Sequence, residues 1–283
     1  MLKINPKELS LGRFHQYMLG AVTPRPISFA STVDANGNPN LAPFSYFGAF
    51  SADPAIIAFS PARSGRDNST KHTLDNVLEV PECVVNIVNY AMVQQQSLAS
   101  TAYDKGVSEF VKAGLTPIES EMVKPFRVKE SPVQMECKVR EVKSFGDNPG
   151  SGQMVICEIV LMHISNDVLN DEQFIDQHKL DSIARMGGNW YSRSSKGLFE
   201  IEKPIRNKGM GVDQLPEAIR NSTTLTGNNL GQLGNLEALP SKDEVGVIAN
   251  KYDLNNLHQL AKTELDNGNV ELGVKILMLE YYK

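Results

Sequence analysis

The chain has no cysteine motif, no long apolar run and no block of basic residues. Its three cysteines form no CxxC pair, and their odd number and wide spacing argue against a disulfide framework and a cysteine-rich zinc site. We interpret Cys83, Cys137 and Cys157 as buried small apolar side chains. The N-terminus MLKINPKELS lacks the apolar core of a signal peptide, and no run approaches the roughly 20 apolar residues that span a bilayer. We therefore expect a cytoplasmic protein that does not enter a membrane.

Several function classes lack their sequence signatures. The 28 Lys and Arg residues against 33 Asp and Glu residues give a net charge of −5, and no basic patch indicates a nucleic-acid partner. The five histidines form no HExxH motif or i,i+4 pair, so we expect no metal site. No GxxxxGK[ST], complete GxGxxG or GxSxG motif occurs, which argues against P-loop, Rossmann and serine-hydrolase sites.

What the chain does contain is the composition of a folded protein. Its 283 residues are 41% hydrophobic and 22% charged, which is typical of soluble globular domains and allows one large domain or one domain with an appendage. An apolar segment, ISFASTV, is followed by the turn-forming residues DANGN, which predicts a strand over 27–33 and a tight hairpin. Further strands are expected over 41–50 and 55–59.

The next segments continue this pattern. The polar loop PARSGRDNST precedes the helical pattern KHTLDNVLEV, with Ser69 or Thr70 as the expected N-cap. A strand over 83–88, a helix over 93–102 and a short helical piece at 109–111 are expected. Two long strands, 133–145 and 154–164, flank the glycine-rich loop 146–152. Six or seven strands with few helices favour a closed or partly closed barrel, a mainly β fold with helical additions.

The last part of the chain has a different composition and a different apolar pattern. Asparagine and glycine dominate 221–235, and apolar residues then recur at helical spacing over 254–261 and 270–277. We expect a barrel domain over 1–203 and a helical C-terminal extension over 204–283.

Several motifs occur together in a specific order: PRPISFASTV, DANGNPN, NLAPFSYFGAFSADP, KHTLDNV, CVVNIV and HKLDSIARMGGNWYSR. In this order the chain resembles the flavin reductase-like, FMN-binding split-barrel family, which includes flavoredoxin-type proteins. The resemblance runs from about residue 22 to residue 193. It implies an FMN-binding split β-barrel and a flavin site at a homodimer interface.

The resemblance implies a phosphate site at the start of the KHTLDNV helix. A helix N-terminus offers free N–H groups and a positive dipole end to the phosphate dianion, Thr73 can donate a hydrogen bond, and Lys71 and Arg63 can neutralise charge. Family members usually carry an acidic residue where this chain has His72, which predicts phosphate binding that depends on pH near neutrality. The alternative is that these are ordinary helix-start residues and a solvated loop charge.

The resemblance implies that the flavin ring lies against the NLAPFS segment. Asn40 and Ser45 would supply polar groups and Leu41, Ala42 and Phe44 apolar walls, while Pro43 would keep the backbone extended with its neighbouring N–H groups facing the ring. The alternative is a plain barrel strand whose phenylalanines lie in the core, as we expect for Phe47 and Phe50.

Two further segments are expected to approach the ring. Arg25, next to Pro26 at the entry to a strand, would lie near the N1–C2=O2 edge of the flavin or would form a surface ion pair. Arg185 begins the RMGGNWY segment, whose glycines permit close backbone approach. Trp190 or Tyr191 would then cover a face of the ring, or Trp190 would be a core or interface anchor.

These residues lead to the hypothesis of an FMN-dependent oxidoreductase that acts as a homodimer. NAD(P)H would pass hydride from its C4 to N5 of bound FMN, and a small molecule or a protein would be the acceptor. The chemistry belongs to the cofactor, so we assign no catalytic acid or base. Two alternatives are a flavoredoxin-like electron carrier fed by a partner protein and a flavin-binding protein without catalytic activity. The extension would sequester flavin, extend the dimer contact or dock a redox partner.

Overall fold

The computed structural model describes residues 1–201, 204 and 208–282, and the chain forms two compact units, Met1–Leu198 and Phe199–Lys283. The expected boundary after residue 203 falls at a residue outside this description, so that boundary stays a prediction. Within the described ranges, no helix is long and apolar enough to cross a membrane.

The first unit is built around one antiparallel sheet of seven strands, which confirms the expected mainly β architecture. Its strands occur in the order β2-β1-β5-β8-β9-β4-β3, so β2 and β3 form the two edges. The strands of the described residues are β1 (Ser28–Val33), β2 (Pro39–Phe44), β3 (Phe47–Ala52), β4 (Ala55–Phe59), β5 (Glu82–Ile87), β6 (Pro117–Ile118), β7 (Arg127–Val128), β8 (Val133–Ser144), β9 (Gln153–Ile164), β10 (Ile183–Arg185) and β11 (Tyr191–Arg193).

Short helices complete both units. The first unit contains α1 (Leu11–Ala21), α2 (His72–Glu79), α3 (Val93–Leu98), α4 (Glu109–Ala113) and α5 (Gln177–Leu180). The second contains α6 (Glu217–Arg220), α7 (Gly227–Gly234), α8 (Lys242–Gly246), α9 (Leu257–Asp266) and α10 (Val270–Met278).

Strand β1 is buried on both faces because the sheet separates two apolar clusters. Phe29 packs in the cluster that includes Phe110 of α4, whereas Ala30 packs in the cluster formed with Val85 and Phe59. Successive side chains of a strand point to opposite faces, so the apolar alternation around Phe29 and Ala30 fits a central strand. The three cysteines are also buried, as expected, and lie on β5, β8 and β9.

Three expectations differ from the structure. The single strand expected over 41–50 is two strands, because β2 pairs with β1 whereas β3 pairs with β4, and the chain changes partner at Ser45 and Tyr46. The N-cap of α2 is Lys71, not Ser69 or Thr70. Phe50 is 66% exposed, because it lies at an irregularity in the β3–β4 pairing on the edge of the sheet.

The second unit has a helical core of its own, as its sequence periodicity predicts. Leu233 of α7, Leu265 of α9 and Ile276 of α10 are all fully buried in one cluster. Helices α9 and α10 approach closely at Gly273, where a Cβ atom would lie 2.8 Å from Cγ of Leu265. A glycine is therefore required at this crossing.

Candidate functional site

The start of α2 is open to an anion. Lys71 is the exposed N-cap, His72 is half-buried, and no side chain of the described residues caps the helix. The N–H groups of Leu74 and Asp75 both donate to the carbonyl oxygen of Lys71, which begins the helical hydrogen bonding. Residues of the first turn keep N–H groups that point out of the helix end, and these groups attract anions.

A buried polar cluster lies behind this helix start, and we call its members Thr32, Asn40, Thr73 and Asn76 the Asn40 cluster. Nδ2 of Asn40 donates to Oγ1 of Thr73 at 2.9 Å and to Oγ1 of Thr32 at 3.4 Å. Nδ2 of Asn76 donates to the same Thr32 oxygen at 3.0 Å. Asn40 therefore lies beside the predicted phosphate residue Thr73, at the opposite end of β2 from Ser45, and its contact with the flavin ring stays a prediction.

Glu109 closes the outer edge of β2 beside this cluster. Its Oε2 accepts a hydrogen bond from the N–H of Leu41 at 3.0 Å, and the residue is only 5% exposed. Burial raises the pKa of Glu109, while the Leu41 N–H and the nearby His72 act in the opposite direction. The sequence did not reveal this role, because nothing in the local pattern around Glu109 marks a buried carboxylate.

The backbone of β2 corrects the role expected for Pro43. The Leu41 N–H points away from β1, and Pro43 lies two residues later on the same outer side, where it has no N–H to donate. By the same alternation, the N–H groups of Ala42 and Phe44 point toward β1. The expected donors beside Pro43 are therefore used within the sheet. The side chain of Leu41 is fully buried, and those of Ala42 and Pro43 are half-buried.

Arg63 stabilises its own loop. Its Nε donates to Oδ1 of Asn68 at 3.0 Å and its Nη2 to the Asn68 carbonyl oxygen at 2.8 Å. Nδ2 of Asn68 donates to the carbonyl oxygen of Asp147, which connects this loop to the glycine-rich loop between β8 and β9. Arg63 is half-buried within this loop, and its role in phosphate binding stays a prediction.

The second group of predicted residues surrounds the buried guanidinium of Arg25. Nη1 donates to the carbonyl oxygens of Leu19 at 2.6 Å and Val22 at 2.5 Å, Nη2 donates to that of Met186 at 3.0 Å, and Nε donates to Oγ of Ser45 at 3.3 Å. Arg25 is only 4% exposed, and this burial lowers its pKa from the ordinary value. The surface ion-pair alternative is therefore wrong. The neighbouring Pro26 is exposed.

The RMGGNWY segment forms the turn between β10 and β11. The Arg185 guanidinium donates to the carbonyl oxygen of Gly188 at 2.8 Å and lies over the Tyr191 ring at 4.5 Å. A Cβ atom on Gly187 would lie 3.2 Å from Cα of Gly20, so the glycine allows the expected close backbone approach, here to the end of α1. Trp190 is 78% exposed, so it is not a core anchor.

Tyr46 is a further polar residue beside Arg25 that the sequence did not indicate. Its hydroxyl lies 3.1 Å from Nε2 of His15 in α1. Burial raises the pKa of Tyr46, and the charge of Arg25 opposes this rise. Tyr46 is therefore a neutral hydroxyl at the break between β2 and β3.

Known proteins share this barrel. The family model for the flavin reductase like domain matches residues 19–182, which include the α2 start, β2 and Arg25. The chain belongs to this family. An uncharacterized protein of Aquifex aeolicus (strain VF5) is 32% identical over 188 residues, which are 66% of this chain and 93% of that protein. Both the resemblance found in the sequence and the split-barrel fold that it implies are confirmed.

Solved structures agree with the family assignment. Nitrilotriacetate monooxygenase component B from Bacillus cereus has 30% identity and a TM-score of 0.65, with 72% of this chain and 98% of that chain covered. Flavoredoxin of Desulfovibrio vulgaris (Miyazaki F) shares the fold at 21% identity and a TM-score of 0.57, with 71% and 97% covered. Membership in the flavin reductase family supports flavin as the cofactor class and an oxidoreductase role. The Trp190 turn lies beyond the last matched residue.

Proposed function

We propose that this protein is an FMN-dependent oxidoreductase that passes hydride or electrons from NAD(P)H, through bound flavin, to an acceptor outside the chain. The observation that carries the proposal is the placement of two polar groups at the two ends of β2 in a flavin reductase barrel. One group is the α2 start with the Asn40 cluster, and the other surrounds Arg25 and Ser45.

The α2 end fits a phosphate. Lys71 is exposed at the helix N-terminus, His72 is half-buried next to it, and the described chain provides no capping side chain for the first-turn N–H groups. Thr73 accepts a hydrogen bond from Asn40 and still has its own hydroxyl proton to donate. This set supplies donors and positive charge, as a phosphate dianion requires.

The Arg25 end fits a planar ring. From Asn40 to Ser45 the chain advances five residues, or about 17 Å at the rise of a β-strand, which is of the order of an extended flavin mononucleotide. This end combines the half-buried Ser45 with an exposed aromatic side chain, Trp190. A site of apolar walls with a few fixed polar groups is typical of cofactor binding.

The protein contributes binding and orientation to the reaction. Bound flavin supplies the hydride and electron chemistry. Lys71, His72 and Thr73 hold the phosphate end, while Ser45, Arg185 and Trp190 define the ring end, and we assign no residue as a proton donor or base. The similar monooxygenase component B is named as one component of a larger system, which supports an acceptor outside this chain.

We also propose that the active form is a homodimer. Phe50 is 66% exposed on the edge strand β3, and Trp190 is 78% exposed in a turn stabilised by hydrogen bonds. Tryptophan is enriched at protein interfaces, and the edge of a sheet offers unpaired backbone groups to a partner.

The test is the visible spectrum of the purified protein, with and without added FMN, before and after anaerobic addition of NADH and of NADPH. We expect flavin absorption that bleaches with one or both nucleotides. Bands that persist with both nucleotides but bleach with a reduced ferredoxin-like protein would replace the reductase by an electron carrier. Bands that persist with every donor would leave a binding protein, and failure to bind FMN at all would overturn the proposal.

A further inference from the structure

The guanidinium of Arg25 is held by the chain itself. Four of its five N–H groups donate to groups of the protein, and three of these acceptors are backbone carbonyl oxygens. We propose that Arg25 is a positioning residue, whose planar guanidinium fixes the β10–β11 turn against the end of α1 and thereby fixes Trp190 at the ring end of the site. The ligand in this inference rests on the proposed function, whereas the positioning of Trp190 does not.

On one side, the guanidinium of Arg25 contacts the end of α1. Leu19 lies in the last turn of the helix and Val22 is its C-cap, and both carbonyl oxygens accept from Nη1 of Arg25. Carbonyl groups at a helix C-terminus lack partners within the helix, and the negative end of the helix dipole favours a cation there. Arg25 therefore ends α1 at a defined place.

On the other side, the guanidinium of Arg25 contacts the β10–β11 turn. Nη2 of Arg25 donates to the Met186 carbonyl oxygen, and the backbones of Arg25 and Arg185 exchange hydrogen bonds of 3.0 and 2.8 Å. Within the turn, the N–H of Met186 donates to the Trp190 carbonyl oxygen and the N–H of Trp190 donates to that of Gly187. Trp190 is thus connected through the turn to the residue that Arg25 holds.

The alternative is that Arg25 acts by its charge on the flavin. Substitution of Arg25 by lysine separates the two roles. Lysine keeps the positive charge, but its single ammonium group cannot reproduce the planar arrangement of N–H donors in the guanidinium. One ammonium cannot bridge Leu19, Val22 and Met186 in the way the two Nη atoms do. Positioning therefore predicts that Arg25→Lys behaves like Arg25→Met, whereas action by charge predicts that it behaves like the wild type.

The experiment uses the full-length protein, whose only tryptophan is Trp190, so its fluorescence reports this turn alone. In the absence of flavin, we expect the amide protons of Met186 and Trp190 to exchange at least about 10-fold faster in Arg25→Lys and Arg25→Met, since a hydrogen bond to a charged group is lost. Time-resolved anisotropy should show faster local motion of Trp190. Arg140→Lys is the matched control, because Arg140 is an exposed residue paired with Glu158.

The second readout is the quenching of Trp190 fluorescence at saturating FMN. We expect strong quenching in the wild type and in Arg140→Lys, and weaker quenching in Arg25→Lys even when FMN is saturating. An arginine with only a structural role would lower the melting temperature and leave the saturated quenching unchanged. That result, or wild-type exchange and anisotropy in Arg25→Lys, would overturn the proposal.

Gly187→Ala provides a test that leaves the charge of Arg25 intact. Its Cβ would press on Gly20 at 3.2 Å and move the turn away from α1, so it should increase Trp190 mobility even if Arg25→Met fails to fold. Unchanged mobility in this variant would contradict the proposed coupling. If the wild type binds no FMN, the proposed function fails, but the exchange and anisotropy of the flavin-free protein still decide the role of Arg25.

Discussion

Removal of the Thr73 hydroxyl distinguishes an effect on the stability of the fold from an effect on flavin binding. Thr73→Val keeps the shape of the side chain and removes the acceptor of the 2.9 Å hydrogen bond from Asn40. Both residues are buried, so the amide of Asn40 loses its better partner and keeps only the 3.4 Å contact with Thr32. We expect a loss of about 1–2 kcal/mol in the free energy of unfolding, the lower part of the range for an unsatisfied buried donor.

The matched control lies in the same cluster. Thr32→Val removes the acceptor of the 3.0 Å bond from Asn76 and of the longer 3.4 Å bond from Asn40, also in a buried setting, but Thr32 is on β1 and not at the helix start. Both variants should therefore unfold at a temperature lower by about 3–6 °C, as expected for a unit of this size. Calorimetry or urea unfolding of the flavin-free protein measures this loss.

Flavin affinity then separates the two variants. If the Thr73 hydroxyl also donates to the phosphate, Thr73→Val loses a hydrogen bond to a charged group, and the Kd for FMN rises about 10- to 150-fold. Thr32→Val should leave the Kd within a few-fold of the wild type, and Thr73→Ser should restore binding. Equal weakening in Thr73→Val and Thr32→Val would refute a direct contact between Thr73 and phosphate.

Three other perturbations have defined outcomes. Because burial raises the pKa of Glu109, its charged form destabilises the fold, so Glu109→Gln should unfold at higher urea concentration than the wild type at pH 8, with the gain lost at acidic pH. For Glu136, burial raises the pKa but hydrogen bonds from backbone N–H groups and His163 outweigh it, so the pKa is lowered. The charged form of Glu136 therefore stabilises the fold at neutral pH, and this stabilisation is lost as the pH falls through the lowered pKa. Glu136→Gln should lower the free energy of unfolding, measured with urea, by about 3 kcal/mol at pH 7 and by less at low pH. Phe50→Asp should convert the proposed dimer to monomer in light scattering after size exclusion, and an unchanged mass would exclude β3 as the interface.

The strands of the sheet could be predicted because their signals are local. Apolar segments bounded by turn residues mark β1, β4 and β5, and the glycine-rich loop marks the β8–β9 hairpin. The division of 41–50 into β2 and β3 could not be predicted, since it depends on which strand each half pairs with. Helix α1 was not predicted, although Leu11, Phe14 and Met18 recur along it at helical spacing.

The candidate site was predictable in its residues but not in their partners. Lys71, His72 and Thr73 do lie at a helix start, as the local pattern indicated. The partners of Arg25 include Met186, which is 161 residues away, and the partner of Leu41 is a carboxylate 68 residues away. Such contacts follow from the packing of distant elements and leave no mark in the local sequence. For this reason the sequence could not show that the Arg25 guanidinium donates to the carbonyl oxygens of Leu19, Val22 and Met186.

The outer side of β2 also bears on how this protein avoids aggregation. Pro39, Leu41 and Pro43 alternate along that side, and the two prolines have no N–H. The remaining N–H, that of Leu41, is already bound by Glu109. A strand from another molecule that approached this edge would therefore find carbonyl acceptors but no free N–H donor along the described strand, which disfavours β-sheet extension at β2. Loss of the Glu109 carboxylate would free the Leu41 N–H at this edge. The two prolines, in contrast, have no N–H in any state of the chain.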